Sequence, residues 1–177
     1  MRDAAWMAAA GADFVKEDSC CGSQQHDVAL REYAEMRDAL NATGRPIFFS
    51  LCGWNSWYAE RGAQLGNSWR IALDGTNWGA LSGCVNRNAG LAQFAHPGAW
   101  NDPDLLLSVD IAGRLRMSEL QSRAQFALWS VLSAPLIISG SIGAMSQYTL
   151  ATYKNKAAID INQGGGVQGH RLVGGDL

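Results

Sequence analysis

Strand-like apolar segments alternate with helix-like ones along this chain, and that alternation restricts the fold more than any other feature. Residues 12–18 read as a strand. Residues 24–40 read as a helix, with Ala29, Tyr33, Met36 and Leu40 spaced to share one face. After the break at Gly44-Arg45-Pro46, the run Ile47 to Cys52 reads as a short buried strand. Residues 53–67 read as a loop rich in Trp, Gly and Asn, 68–74 as the next strand, and 78–94 as helix-prone, interrupted by Gly83 and Gly90. Pro97-Gly98 marks a turn, and Trp100-Asn101-Asp102-Pro103-Asp104 leads into the apolar run Leu105-Leu106-Leu107. Ser118 and Gln121 form a capping box opening a helix whose buried face is expected to carry Met117, Leu120, Ala124, Leu128 and Val131. Residues 134–139 read as a strand, 146–157 as helical, 159–161 as extended, and 164–177 as a Gly-rich tail.

Strand, helix, strand, helix means a parallel sheet. The strand ends near residues 18, 52, 74, 105 and 139 lie roughly 20 to 35 residues apart, which suits βα units. Five such strands are about three short of the eight that close a (β/α) barrel. The fold class is therefore α/β: an open sheet, or part of a (β/α)8 TIM barrel.

The net charge of −2 and a charged fraction of 17% offer nothing to nucleic acid or to an anionic membrane. No apolar run is long enough to cross a bilayer, and the first residues read as a mid-domain helix rather than a signal peptide. The four cysteines, Cys20, Cys21, Cys52 and Cys84, fit no zinc-ligand spacing, and Cys20-Cys21 is not a C-x-x-C redox motif. No metal and no cofactor are expected. His26, His96 and His170 are scattered without a nucleophile to serve, and the glycines at 164–166 lack the strand-turn-helix setting of a phosphate loop.

Chemistry is sought at the carboxyl ends of parallel strands. There, Asp18 closes one apolar run and Asp74 another, and each has a cation upstream, Lys16 and Arg70. Two carboxylates brought together are the minimum equipment for cleaving a glycosidic bond. Each also has a plainer reading: Asp18 as a cap for the following helix, Asp74 as the first residue of an Asp-Gly turn. The basic pair reads equally as ion-pair partners at a sheet edge.

Five stretches, in order, resemble the melibiase-type α-galactosidases of glycoside hydrolase family 27. They are Asp13 to Cys20, Phe49 to Trp54, Asn67 to Arg70 with Asp74, Pro97 to Asp104, and Ala127-Leu128-Trp129 running to Ala134-Pro135-Leu136. The resemblance implies a (β/α)8 barrel followed by a β-sandwich. Residues 1–163 look like barrel strands four to eight only, and 164–177 like the boundary to an absent sandwich. It implies removal of terminal α-linked galactose from oligosaccharides or glycoconjugates with retention of configuration. Asp18 matches the nucleophile and Asp74 the acid/base, to be found about 5–5.5 Å apart in a retaining enzyme. Lys16, Arg70, Asp104 and Trp54 match residues that contact the sugar, while Asp102 is expected to bond backbone amides in its turn. The partner implied is a carbohydrate with a terminal α-galactose; the compartment is extracellular or lysosomal/vacuolar; the oligomeric state is left open.

The chain departs from that pattern in three ways. Gly53 stands where α-galactosidases often carry an acid, which leaves N-acetylgalactosamine and arabinopyranose as alternative sugars. The sulfur partners that the family usually offers to the cysteines matching Cys20 and Cys52 are missing, at a cost of about 2–5 kcal/mol for each disulfide. The early-strand carboxylates that grip the galactose hydroxyls have no counterpart. A fragment of an active enzyme that folds poorly and turns over little is therefore expected, with a non-catalytic carbohydrate-binding remnant as the other reading.

Overall fold

Four short strands pair side by side, all parallel, in the computed structural model, which describes residues 2–20, 22, 23, 25–173 and 175. They are β1 (Phe14–Asp18), β2 (Phe48–Cys52), β3 (Ser68–Arg70) and β4 (Trp100–Asp102), in that order across the sheet. A second parallel pair, β5 (Leu106–Leu107) and β6 (Ile138–Ser139), continues from β4 through a break at Pro103-Asp104. Helices α1 (Arg2–Ala9), α2 (His26–Asn41), α3 (Ala59–Leu65), α4 (Trp78–Asn88), α5 (Glu119–Val131), α6 (Gln147–Tyr153) and α7 (Lys156–Gly164) occupy the crossovers and flanks. The result is an open arc of a (β/α) barrel. None of these helices is long and apolar enough to cross a membrane.

Two apolar clusters sit between strands and helices. One gathers Phe49, Leu51, Tyr58 and Trp69 with Tyr33 and Leu40 of α2; the other gathers Leu106, Met117, Phe126 and Trp129 with Tyr153. Trp69 and Trp129 are wholly buried, and each indole N–H has an acceptor: Asn101 Oδ1 at 2.7 Å and the Asp104 carbonyl at 2.7 Å. This meets the requirement that a buried donor be paired.

Several sequence-based expectations need correction. The strand expected over 68–74 ends at Arg70: Ile71 N makes the last bond to β4, to the Asp102 carbonyl, and the chain then leaves the sheet, with Leu73 exposed. The supposed loop 53–67 contains α3, packed against β3. Trp100–Asp102, read as the lead into the apolar run at 105–107, is itself a strand, and only Ile138–Ser139 of the expected 134–139 strand pairs. Residues 159–161 lie inside α7 rather than in an extended segment, and Asn155 separates α6 from α7 by capping Ala158 N.

The face of α5 is the largest difference. Leu120 and Val131 are exposed, while Ser122, Gln125, Phe126, Trp129 and Ser130 are buried. Gln125 explains it: its Oε1 accepts from Leu107 N and its Nε2 donates to the Leu105 carbonyl, so an amide serves as a core residue by completing the edge of β5. The tail is likewise not loose throughout. Gln168 is buried, donates to the Asn88 carbonyl at 2.9 Å and accepts from Asn101 Nδ2 at 2.9 Å. Cys21 and the last part of the tail, Gly174, Asp176 and Leu177, lie outside the described residues.

Candidate active site

Parallel register builds the site row by row. Asp18 of β1 lies opposite Cys52 of β2, and Arg70 of β3 lies opposite Asp102 of β4. Side chains alternate along a strand. Thus Val15 and Glu17 turn toward the helices, while Lys16 and Asp18 emerge on the open face, where both are exposed. The loops beyond β3 and β4 add Asp74 and Asp104. Lys16, Asp18, Cys52, Arg70, Asp74 and Asp104 all line one cleft of about 630 Å³.

Arg70 organises its centre. The side chain is almost completely buried, and its Nη2 lies 3.0 Å from Asp104 Oδ2 and 3.2 Å from Asp74 Oδ1. The same nitrogen donates to the Ala72 carbonyl, and Nη1 approaches Cys52 Sγ at 3.8 Å. Burial works against its charge, but the Asp104 and Asp102 carboxylates outweigh burial and hold the pKa above its ordinary value. In this arrangement Arg70 is an ion-pair partner through Nη2, while its Nε is buried without a hydrogen-bond partner.

Asp104 occupies a left-handed backbone conformation, φ 103°, that costs energy for any residue but glycine. Three bonds enforce it. Its Oδ2 accepts from Gly75 N at 2.6 Å, its Oδ1 from Leu105 N at 2.7 Å, and its own N–H donates to Asp102 Oδ1 at 2.8 Å. Asp102 thus bonds a backbone amide in the Asn-Asp-Pro turn. Burial raises the Asp102 pKa, opposed by Arg70 and by the Asp104 amide. The bond from Gly75 also ties the Asp74 loop to Asp104. The Asp74 carboxyl itself remains mostly exposed to the cleft.

Trp54 is not among the residues lining this cleft. A left-handed turn at Trp54, φ 54°, ends β2 and sends the chain into the helical turn Ser56–Tyr58. Gly53 is explained by that turn. A Cβ there would lie 1.9 Å from Cε2 of Tyr58, whose ring stacks on Trp57 at 3.8 Å and meets Tyr33 edge-on. Tyr58 therefore fills the space into which a larger residue at 53 would grow.

Three side chains carry perturbations that the sequence does not signal. Burial, with some help from Asp18, pushes the Cys52 thiol up to about 12 against the pull of Lys16 and Arg70, so it stays protonated beside the nucleophile candidate. Cys84 is pushed up to about 11, chiefly by burial. Neither suits redox chemistry, which needs an accessible thiolate. Cys20, Cys52 and Cys84 are all free thiols. On the opposite face of β1, Glu17 is raised to about 7 by burial and by the Glu32 carboxylate, and its Oε2 is buried without a hydrogen-bond partner. Among the described residues no group of three or more His, Cys, Asp or Glu is arranged to hold a metal ion.

A family model described as alpha galactosidase A matches residues 1–164. The chain belongs to the melibiase family. An α-galactosidase of Oryza sativa subsp. japonica is 36% identical over 174 residues, which cover 97% of this chain and 40% of that protein. An α-N-acetylgalactosaminidase of Gallus gallus is 35% identical over 187 residues, covering 97% of this chain and 44% of that protein. The crystal structure of α-galactosidase I from Mortierella vinacea superposes with a TM-score of 0.86 at 27% identity, covering 97% of this chain and 49% of that one. The chain therefore spans about two fifths of the length of the curated melibiase relatives it matches.

Proposed function

We propose that this chain carries the catalytic carboxylates of a retaining α-galactosidase, with Asp18 as nucleophile and Asp74 as general acid/base. The observation that carries the reading is the convergence of these two carboxylates, from separate βα units, on one cleft. A retaining glycosidase needs one carboxylate to attack the anomeric carbon and a second to protonate the leaving oxygen and later deprotonate water. Asp18 is exposed at the cleft, as a nucleophile requires. Asp74 is tethered by Arg70 yet open to the cleft. Lys16 and Asp104, in the same cleft, supply a donor and an acceptor for sugar hydroxyls. Trp54 serves as a wall of the sugar pocket only if the loop after β2 turns it inward on binding.

N-acetylgalactosamine is the second sugar to test, favoured by the likeness to the avian enzyme and by the absence of an acid at Gly53. The Tyr58 ring argues against it, because the volume vacated by Gly53 is already filled. Turnover by this span alone is expected to be low, since about three fifths of the length of the relatives lies outside it.

The test is hydrolysis of an aryl α-galactoside by this chain and by a version extended upstream, each beside its Asp18→Asn form. Hydrolysis by the extended chain that falls about 1,000-fold or more in Asp18→Asn is the expected outcome. An extended, folded chain that binds galactose and cleaves no α-glycoside would move the assignment to a carbohydrate-binding protein.

A further inference from the structure

We propose that the hairpin over residues 109–116 walls a leaving-group subsite, in which Arg116 and Ile111 receive the second sugar ring of an oligosaccharide. The inference rests on the assignment of Asp74 as acid/base. A general acid must reach the oxygen that departs, so the leaving group lies on the side of the cleft where Asp74 stands. On that side the wall is Arg116. Its Nη2 donates to the Thr76 carbonyl at 3.2 Å, two residues beyond Asp74, and Arg116, Thr76, Asp110 and Ile111 line the same cleft as Asp74.

The hairpin is organised before any ligand arrives. Asp110 Oδ1 accepts from Ala112 N at 3.0 Å and Arg114 N at 2.9 Å, and Oδ2 accepts from Arg114 Nε at 2.8 Å. Val109 bridges to Leu115 across its neck. Behind it the loop after β6 is pressed close: Ser141 N donates to the Asp110 carbonyl, and a Cβ on Gly140 would lie 2.0 Å from the Val109 carbonyl oxygen. A wall fixed in this way spares the hairpin backbone an ordering cost on binding.

The chemistry of the two side chains selects the ligand class. Arg116 makes no ion pair among the described residues and spends one N–H on Thr76, so its guanidinium has donors left for hydroxyls. Ile111, 92% exposed at the tip, offers an aliphatic surface to the C–H face of a sugar ring. An aryl or lipid leaving group would use Ile111 but leave the Arg116 donors without acceptors.

The experiment titrates galactose and melibiose by saturation-transfer NMR into the Asp18→Asn form of this chain, which blocks turnover, and into the same form with Arg116→Ala added. Signal on both rings of melibiose is expected. Loss of a charge-assisted hydrogen bond is expected to weaken melibiose binding about ten-fold, several times more than it weakens galactose binding. Arg116→Lys, which keeps the charge, is expected to recover part of that difference. Signal confined to the galactose ring would overturn the subsite and leave the site reading standing. Equal weakening of both sugars would reduce Arg116 to a strut for the Asp74 loop and overturn it too. Absence of signal from either sugar in a folded chain would remove the sugar site itself, and the subsite with it.

Discussion

Replacing Glu17 by Gln should make this protein more stable, and only at neutral to alkaline pH. Glu17 sits on the helix-facing side of β1, half-buried, with Glu32 and Glu35 of α2 lining the same small cavity and no hydrogen bond to its Oε2. Burial first and the Glu32 charge second raise its pKa from 4.5 to about 7. A carboxyl whose folded pKa is raised binds more protons in the folded than in the unfolded state between those two values. Stability therefore falls as pH rises through that window, and the loss is complete above about pH 7. At 1.36 kcal/mol per pH unit the full interval corresponds to about 3.4 kcal/mol. Partial exposure of the carboxyl reduces this to about 1–2 kcal/mol. Glutamine cannot ionise, and its amide can donate to Glu32. Urea denaturation of parent and Glu17→Gln at pH 5 and pH 8.5 checks the reasoning. The two proteins should be nearly equal at pH 5 and differ by about 1–2 kcal/mol at pH 8.5, the variant being the more stable. A difference that stays flat across that range would show that Glu17 ionises freely and would refute the argument.

Arg70→Met removes the cation between Asp74 and Asp104 and leaves the buried Asp104 carboxylate without its ion-pair partner and buried Asp102 with the weaker pull of Lys16. A loss of about 3–5 kcal/mol in urea denaturation at pH 7 is expected, recovered in part at pH 4 as Asp102, whose pKa burial raises, protonates. Gly53→Glu drives a Cβ into the Tyr58 ring and should cost about 1–3 kcal/mol in thermal or chemical denaturation, whereas the double change Gly53→Glu with Tyr58→Ala should show a non-additive recovery.

The periodic parts of the chain were legible because burial there follows chain geometry. Ala29, Tyr33 and Leu40 of α2 are buried as their spacing requires, and β1 and β2 fall within a residue or two of the apolar runs that announce them. The clustering of Lys16, Asp18, Arg70, Asp74 and Asp104 followed from strand ends and from resemblance together. Where polar groups do apolar work, periodicity misled. The α5 face was misassigned because Gln125 and Ser122 are buried by hydrogen bonds to β5 backbone rather than by hydrophobicity. The early end of β3 was hidden because Ile71 and Ala72 stay buried after leaving the sheet, so the apolar run outlasts the strand. Nothing in the sequence singles out Glu17. Only its register position, facing α2 rather than the cleft, sets it apart.

The in-register rows that join Asp18 to Cys52 and Arg70 to Asp102 bind the history of this site to the history of its core. Inserting or deleting one residue within β1 or β3 would exchange the two faces of that strand. Val15 or Trp69 would then be delivered to the cleft, and Lys16 or Arg70 to the helices. No lineage can pass through such an intermediate with either half intact. Change of length is thus confined to the connections, the 71–77 loop and the 109–116 hairpin among them. New substrates are expected to arise by lengthening or shortening those loops around a carboxylate pair whose strands drift only by substitution.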